Sequence, residues 1–187
     1  MSPLPVGYVL ADGQSNLTKL EAPETPIKDR PLKVLCAHRV RDGKQWVMRR
    51  KLTELCKNKF QPFTTILTNE VSESAFQNLV QEHPFVICAQ GGGLDPSPKA
   101  WLTLANGSIP IIKSSPLDDA YSQLPVAFVD EWNEECLSLD KMHEWIEDLA
   151  PYFEDDDLRI QTLHRLSLDY WWNRIVDMTI SPLTDAY

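Results

Sequence analysis

The chain has 187 residues, 43% hydrophobic and 24% charged, which suits one globular domain with room for a sizeable core and excludes a mini-protein or wholesale disorder. Its formal charge of −9 argues against nucleic acid or an anionic membrane as partner, because such surfaces are met by an excess of Lys and Arg; a local basic site stays open. Cys36, Cys56, Cys88 and Cys136 lack the close spacing of zinc ligands and read as small buried hydrophobes in a reducing compartment.

Residues 1–31 carry Pro3, Pro5, Pro23, Pro26 and Pro31 and show no useful periodicity, so they read as an extended arm or linker ahead of a domain over 32–180. The opening MSPLPVGYVLADG lacks the basic and apolar regions of a signal peptide, and no apolar run approaches the ~20 residues of a membrane helix. The chain as given reads as soluble, cytoplasmic by default. Sequons at Asn16 and Asn106 are about what chance supplies.

From Leu32 the pattern becomes regular. LKVLCAH (32–38) is a short apolar run that fits a buried strand. Over 45–58, Met48, Leu52, Leu55 and Cys56 form one helical stripe, while Arg49, Arg50 and Lys51 leave it. FTTIL (63–67) is the second strand. Ser72 caps a helix whose Ala75, Phe76, Leu79 and Val80 share a face, and His83-Pro84 stops it. FVICA (85–89) is the third strand. After a glycine-rich loop, Ser97 as N-cap and Pro98 at the first helical position open a helix burying Ala100, Trp101, Leu104 and Ala105 up to Gly107. IPII (109–112) and VAFV (126–129) supply two more strands, with a short helix or turn over 117–121 between them. Ser138 starts a helix bearing Leu139, Met142, Trp145, Ile146 and Leu149. Asp155, Asp156 and Asp157 form a solvated helix start, and Tyr170-Trp171-Trp172 fall on a helix with Leu163, Leu166 and Ile175, as packing aromatics.

Repeated strand–helix–strand units with apolar strands predict an α/β fold, a Rossmann-like doubly wound parallel sheet. Ligands of such sheets bind where loops leave the strands' carboxyl ends. Three loops then converge: His38, Arg39 and Arg41; Gln90 to Lys99; and Lys113 to Asp118. Gly91, Gly92 and Gly93 allow backbone N–H groups to approach an anion closely, and Arg39, Arg41, Arg50 and Lys99 are the cations near that edge. A phosphate or diphosphate is the sharp reading; a tight corner with solvated arginines is the plain one, since no GxGxxG or GxxxxGK[ST] pattern is present. His38 has two readings as well, a phosphate contact or a histidine satisfied by backbone. His143-Glu144 lacks a zincin's second histidine, no serine sits in a nucleophile elbow, and no metal site is expected.

The stretch HPFVICAQGGGLDPSPKAWLTLANGSIPIIKSSPLDDAYSQLPVAFVDEW (83–132), with LSLDYWWNRI (166–175), resembles the exostosin-like glycosyltransferases, algal and viral relatives included. The resemblance covers about residues 31–176 and corresponds to the C-terminal, donor-binding half of a GT-B enzyme; SPLPVGYV resembles the passage from the first domain into the second. It implies transfer of a sugar from a nucleotide-diphosphate sugar to a hydroxyl acceptor such as a glycan, without a cofactor or metal. Residue by residue, it sets Arg39 and Arg50 by the donor diphosphate with Gly91, Gly92, Gly93 and Lys99. His38, Asp95, Leu102, Ser114, Ser115 and Asp118 fall near the sugar or nucleotide. The family's helix usually reads W-E-A-L, with the glutamate on the ribose; here Trp101-Leu102-Thr103-Leu104 has no such acceptor. The acceptor site and general base would belong to an N-terminal domain, so no catalytic residue is assigned. The alternative is an inactive or incomplete nucleotide-binding or interaction module. By the same resemblance, an anchor upstream would move the chain to the Golgi lumen.

Overall fold

The computed structural model describes residues 21–184, apart from residues 68, 92 and 97 and the side chains of residues 45 and 178–184. Residues 1–20, with most of the expected arm and the Asn16 sequon, lie outside the described residues, as do Gly92 and the expected cap Ser97.

Five short strands, β1 (Val34–Cys36), β2 (Thr64–Ile66), β3 (Phe85–Ile87), β4 (Ile109–Lys113) and β5 (Ala127–Val129), form one all-parallel sheet in the order β2-β1-β3-β4-β5. This is a Rossmann-like doubly wound sheet, and its switch point lies between β1 and β3. Every residue of β1 and β3 is buried, as strands covered on both faces require. Pro110 is tolerated inside β4 because alternate residues serve the two neighbours. Ile109 N donates to Pro84 O and Cys88 N to Ile111 O, which turns the Pro110 nitrogen toward β5 before pairing there begins at Ile111 and Ala127.

Eight α-helices follow in chain order among the described residues: α1 (Val47–Asn58), α2 (Glu73–Glu82), α3 (Lys99–Ala105), α4 (Asp118–Tyr121), α5 (Leu139–Leu149), α6 (Pro151–Glu154), α7 (Asp156–Arg165) and α8 (Leu168–Thr184). One face of the sheet packs α1 and α5, through Cys36 against Cys56 and Phe85 against Trp145 at 5.9 Å. The other packs α3, where Cys88 Sγ lies 3.7 Å from Thr103 Oγ1. The caps follow the sequence: Ser72 accepts from Ala75 N, Ser138 from Lys141 N and Asp155 from Leu158 N. Among the described residues no helix is long and apolar enough to cross a membrane.

Four expectations need correction. First, residues 21–31 are docked on the domain. Ile27 is 1% exposed in a 3-10 turn (Ile27–Asp29), and buried Arg30 donates to Thr25 O, His83 O and Ser108 Oγ. Second, the helix expected to carry Leu163, Leu166, Tyr170-Trp171-Trp172 and Ile175 is two elements: Leu163 belongs to α7, and Ser167 opens α8 by accepting from Tyr170 N. Third, Leu139, the first residue of α5, is half exposed, while Met142 one turn further on is fully buried. Fourth, the first residue of α3 is Lys99, with Pro98 as its cap.

At the end of α3, Gly107 has φ of 74°, and a Cβ there would lie 2.7 Å from Pro23 Cγ of the docked segment. Gly107→Ala therefore combines left-handed strain with a clash. It is expected to lower the unfolding free energy by about 1–2 kcal/mol in a urea titration. His83 is buried with its Nδ1 2.7 Å from Leu79 O and its Nε2 2.8 Å from Thr65 Oγ1, so a neutral ring donating from Nδ1 satisfies both. Burial lowers its pKa from the usual 6.5. The unfolded chain then takes up the proton first as pH falls. Stability is complete above about pH 6.5 and declines below it, and His83→Gln should flatten that limb in urea midpoints measured from pH 7.5 to 5.

Candidate functional site

At the switch point the connection from β1 turns one way and that from β3 the other, leaving a crevice at the carboxyl edge. Two cations enter it from opposite faces of the sheet. Arg49, in the first turn of α1, donates from Nε to Gln90 O at 2.8 Å and from Nη2 to Ala89 O at 3.1 Å, just past β3. Its guanidinium also lies 4.9 Å over the Trp46 ring. Lys99, the first residue of α3, donates to Ala37 O just past β1. Each cation is thus held by a strand end that its own helix does not follow directly, or follows from across the gap.

Among the described residues neither charge has an acidic partner in an ion pair. The ion pairs among the described residues are Lys28 with Glu154, Arg39 with Glu70, Lys57 with Glu54, Lys59 with Glu134 and Lys113 with Glu131. Burial lowers the pKa of both Arg49 and Lys99, and the charge of Arg49 adds to the effect on Lys99. Backbone carbonyls offset part of that desolvation, but an anion would offset far more.

The glycine loop adapts to Arg49. A Cβ on Gly91 would come within 3.3 Å of Arg49 Nη2, whereas one on Gly93 meets nothing within 4 Å. The positive-φ glycines among the described residues are Gly43 and Gly107, so close approach, and not a left-handed turn, is what Gly91 serves.

The other expected residues divide clearly. His38 is buried, with Nε2 2.9 Å from Thr53 Oγ1 and 3.1 Å from Arg49 O, so it is the internally satisfied histidine and braces the turn that carries Arg49. Arg39 is exposed and paired with Glu70 at 3.0 Å. Arg50 holds its own approach loop, donating to Arg41 O at 2.6 Å and Gly43 O at 3.3 Å. Ser114 N donates to Val129 O. Asp118 accepts from Ser115 N while Ser115 Oγ accepts from Leu117 N, a closed capping arrangement before α4. Asp95 accepts from Tyr121 OH at 2.8 Å, and Leu102 packs half-buried against the core.

No protein-family model matches this chain, and no curated protein matches it either. Arg49 is the residue that spacing did not single out. Both Arg49 and Arg50 leave the apolar stripe of α1, and one residue, about 100° of helix, separates crevice from rim. The nearby Trp46, three residues before Arg49, is the one local cue.

Among the described residues no three His, Cys, Asp or Glu side chains are grouped as a metal ion would need. A wider groove opens at the amino edge between Pro23, Arg30, Lys33, Thr65, Gln81 and His83, where Arg30 and His83 are engaged with Ser108 and Thr65.

Lys99 carries its charge into the crevice at a cost in desolvation. Lys99→Met is expected to leave the midpoint of urea unfolding at pH 7 unchanged or raised.

Proposed function

We propose that this domain binds a nucleoside-diphosphate sugar through its diphosphate at the β1–β3 crevice, and serves as the donor half of a glycosyltransferase of the exostosin-like type. The observation that carries the reading is the pair Arg49 and Lys99, two part-buried cations converging on a switch point with no ion-paired carboxylate among the described residues. Arg39 and Arg41 at the rim, and the Gly91–Gly93 loop, belong to the same edge. The order of motifs along 83–132 supplies the sugar-transfer part of the reading.

Micromolar affinity needs about 8 kcal/mol. Charge-assisted hydrogen bonds contribute about 1.5–3 kcal/mol each, so two cations and a few loop N–H groups reach that range. On ligand arrival, Arg49 would exchange neutral carbonyl acceptors for phosphate oxygens, and Lys99 likewise. In the transfer step the acceptor oxygen bonds to the anomeric carbon as the bond to the diphosphate breaks. Negative charge then grows on the leaving phosphate, where Arg49 and Lys99 would stabilise it. The acceptor's proton goes to a base outside this domain.

A second reading, a nucleotide-binding module without transfer, is favoured by Leu102. Its side chain packs against the core at the position where a ribose acceptor would be needed.

Calorimetric titration of the chain with UDP, GDP, dTDP and CDP at low salt tests the binding. One diphosphate should bind saturably, with Arg49→Ala at least about tenfold weaker and Arg50→Ala affected less. Failure of every diphosphate to bind a folded chain would remove both readings. Release of free sugar or a transferred product from the matching sugar nucleotide separates enzyme from module.

A further inference from the structure

The glycine loop is held at both ends. At its entry Arg49 grips the carbonyls of Ala89 and Gln90. At its exit the Tyr121 hydroxyl donates to Asp95 Oδ1 at 2.8 Å, across 26 residues of sequence. Between these points Gly93 borders open space and Leu94 is 54% exposed.

The exit anchor is rigidly mounted. Tyr121 is 1% exposed, and its ring meets Trp101 edge to face at 5.2 Å. Trp101 is fully buried, lies 6.5 Å from Trp171 of α8 and donates from Nε1 to Leu166 O. Burial, then the Asp95 hydrogen bond and charge, raise the Tyr121 pKa, so the phenol keeps its proton and remains a donor.

We propose that Tyr121 is a positioning residue for the diphosphate site, fixing the exit of the glycine loop through Asp95 as Arg49 fixes its entry. The inference rests on the diphosphate reading above. Asp95 then acts as an acceptor for Tyr121, and its negative charge contributes nothing to holding an anionic ligand. That separates it from a carboxylate recruited to touch the sugar.

The test is calorimetric titration of the full chain with inorganic pyrophosphate, which carries no sugar or base, at low salt. Tyr121→Phe keeps the ring and removes the donor; it should bind about fivefold more weakly than wild type. Asp95→Ala should be at least as weak, and the double variant should be no weaker than Asp95→Ala alone. Asp95→Asn retains an acceptor oxygen and drops the charge, so it should bind within about twofold of wild type or more tightly. If Tyr121→Phe does not fold, Asp95→Ala against Asp95→Asn carries the same comparison. Should only a nucleoside diphosphate bind, the variants are compared with that ligand. Wild-type affinity in Tyr121→Phe, or Asp95→Asn as weak as Asp95→Ala, overturns the positioning role and leaves the diphosphate reading standing. A wild-type chain that binds neither pyrophosphate nor any nucleoside diphosphate overturns both.

Discussion

In a parallel sheet every strand ends at the same edge, and each helix must cross back over a face before the next strand begins. Here the crossings diverge at the boundary between β1 and β3, so no connection fills the space above those two strand ends. The two helices that flank the gap, α1 and α3, start there and present their first residues to it. Arg49 and Lys99 are such residues, and their hydrogen bonds to Ala89, Gln90 and Ala37 stitch the gap from both sides. The loops, the glycines and the braced His38 are arranged around that geometry.

The electrostatics of the gap run against the chain's overall charge. A protein of net charge −9 repels anions at long range, yet six Lys and Arg lie between Arg39 and Lys51 with Asp42 the one acid among them. Short-range contacts outweigh the long-range field within about one Debye length, roughly 8 Å at physiological salt. The cost is borne locally: burial disfavours both charges, and neutral carbonyls are weaker partners than phosphate oxygens. A site built this way is less stable empty than an apolar one of the same shape would be. The internally satisfied His38 and the self-capped Ser115–Asp118 turn are structural supports around it.

A second theme is the aromatic column from loop to terminus. Tyr121, Trp101 and Trp171 link the end of the glycine loop through α3 to α8, while Trp172 on the next position of α8 remains 62% exposed. The motif Trp101-Leu102 thereby serves packing on one side and leaves an aliphatic residue half-buried on the other. The docked segment 21–31 works similarly at the opposite edge. Arg159 donates to the Glu21 carbonyl, Arg30 reaches out to His83 O and Ser108 Oγ, and Ile27 enters the core, so polar and apolar contacts together hold it in place.

The sequence by itself determined the strands, the starts of α2, α5 and α7, and the fold class. Continuous apolar runs such as FVICA can be buried only on both faces, and Ser72, Ser138 and Asp155 supply caps through bonds three residues long. It also located the edge at which a ligand would bind, because topology follows from strand order. Which side chains reach the crevice was decided by tertiary structure alone. Arg49 and Arg50 are equivalent as polar residues on a helical wheel, and the rotation of α1 against β3, fixed by Leu52 and Cys56 in the core, sends one inward and the other onto its own loop. The Tyr121–Asp95 bond and the docking of Arg30 against Ser108 join positions 26 and 78 residues apart. Local periodicity carries no information over such distances, since it reports only the face a residue occupies and never the partner that face will meet.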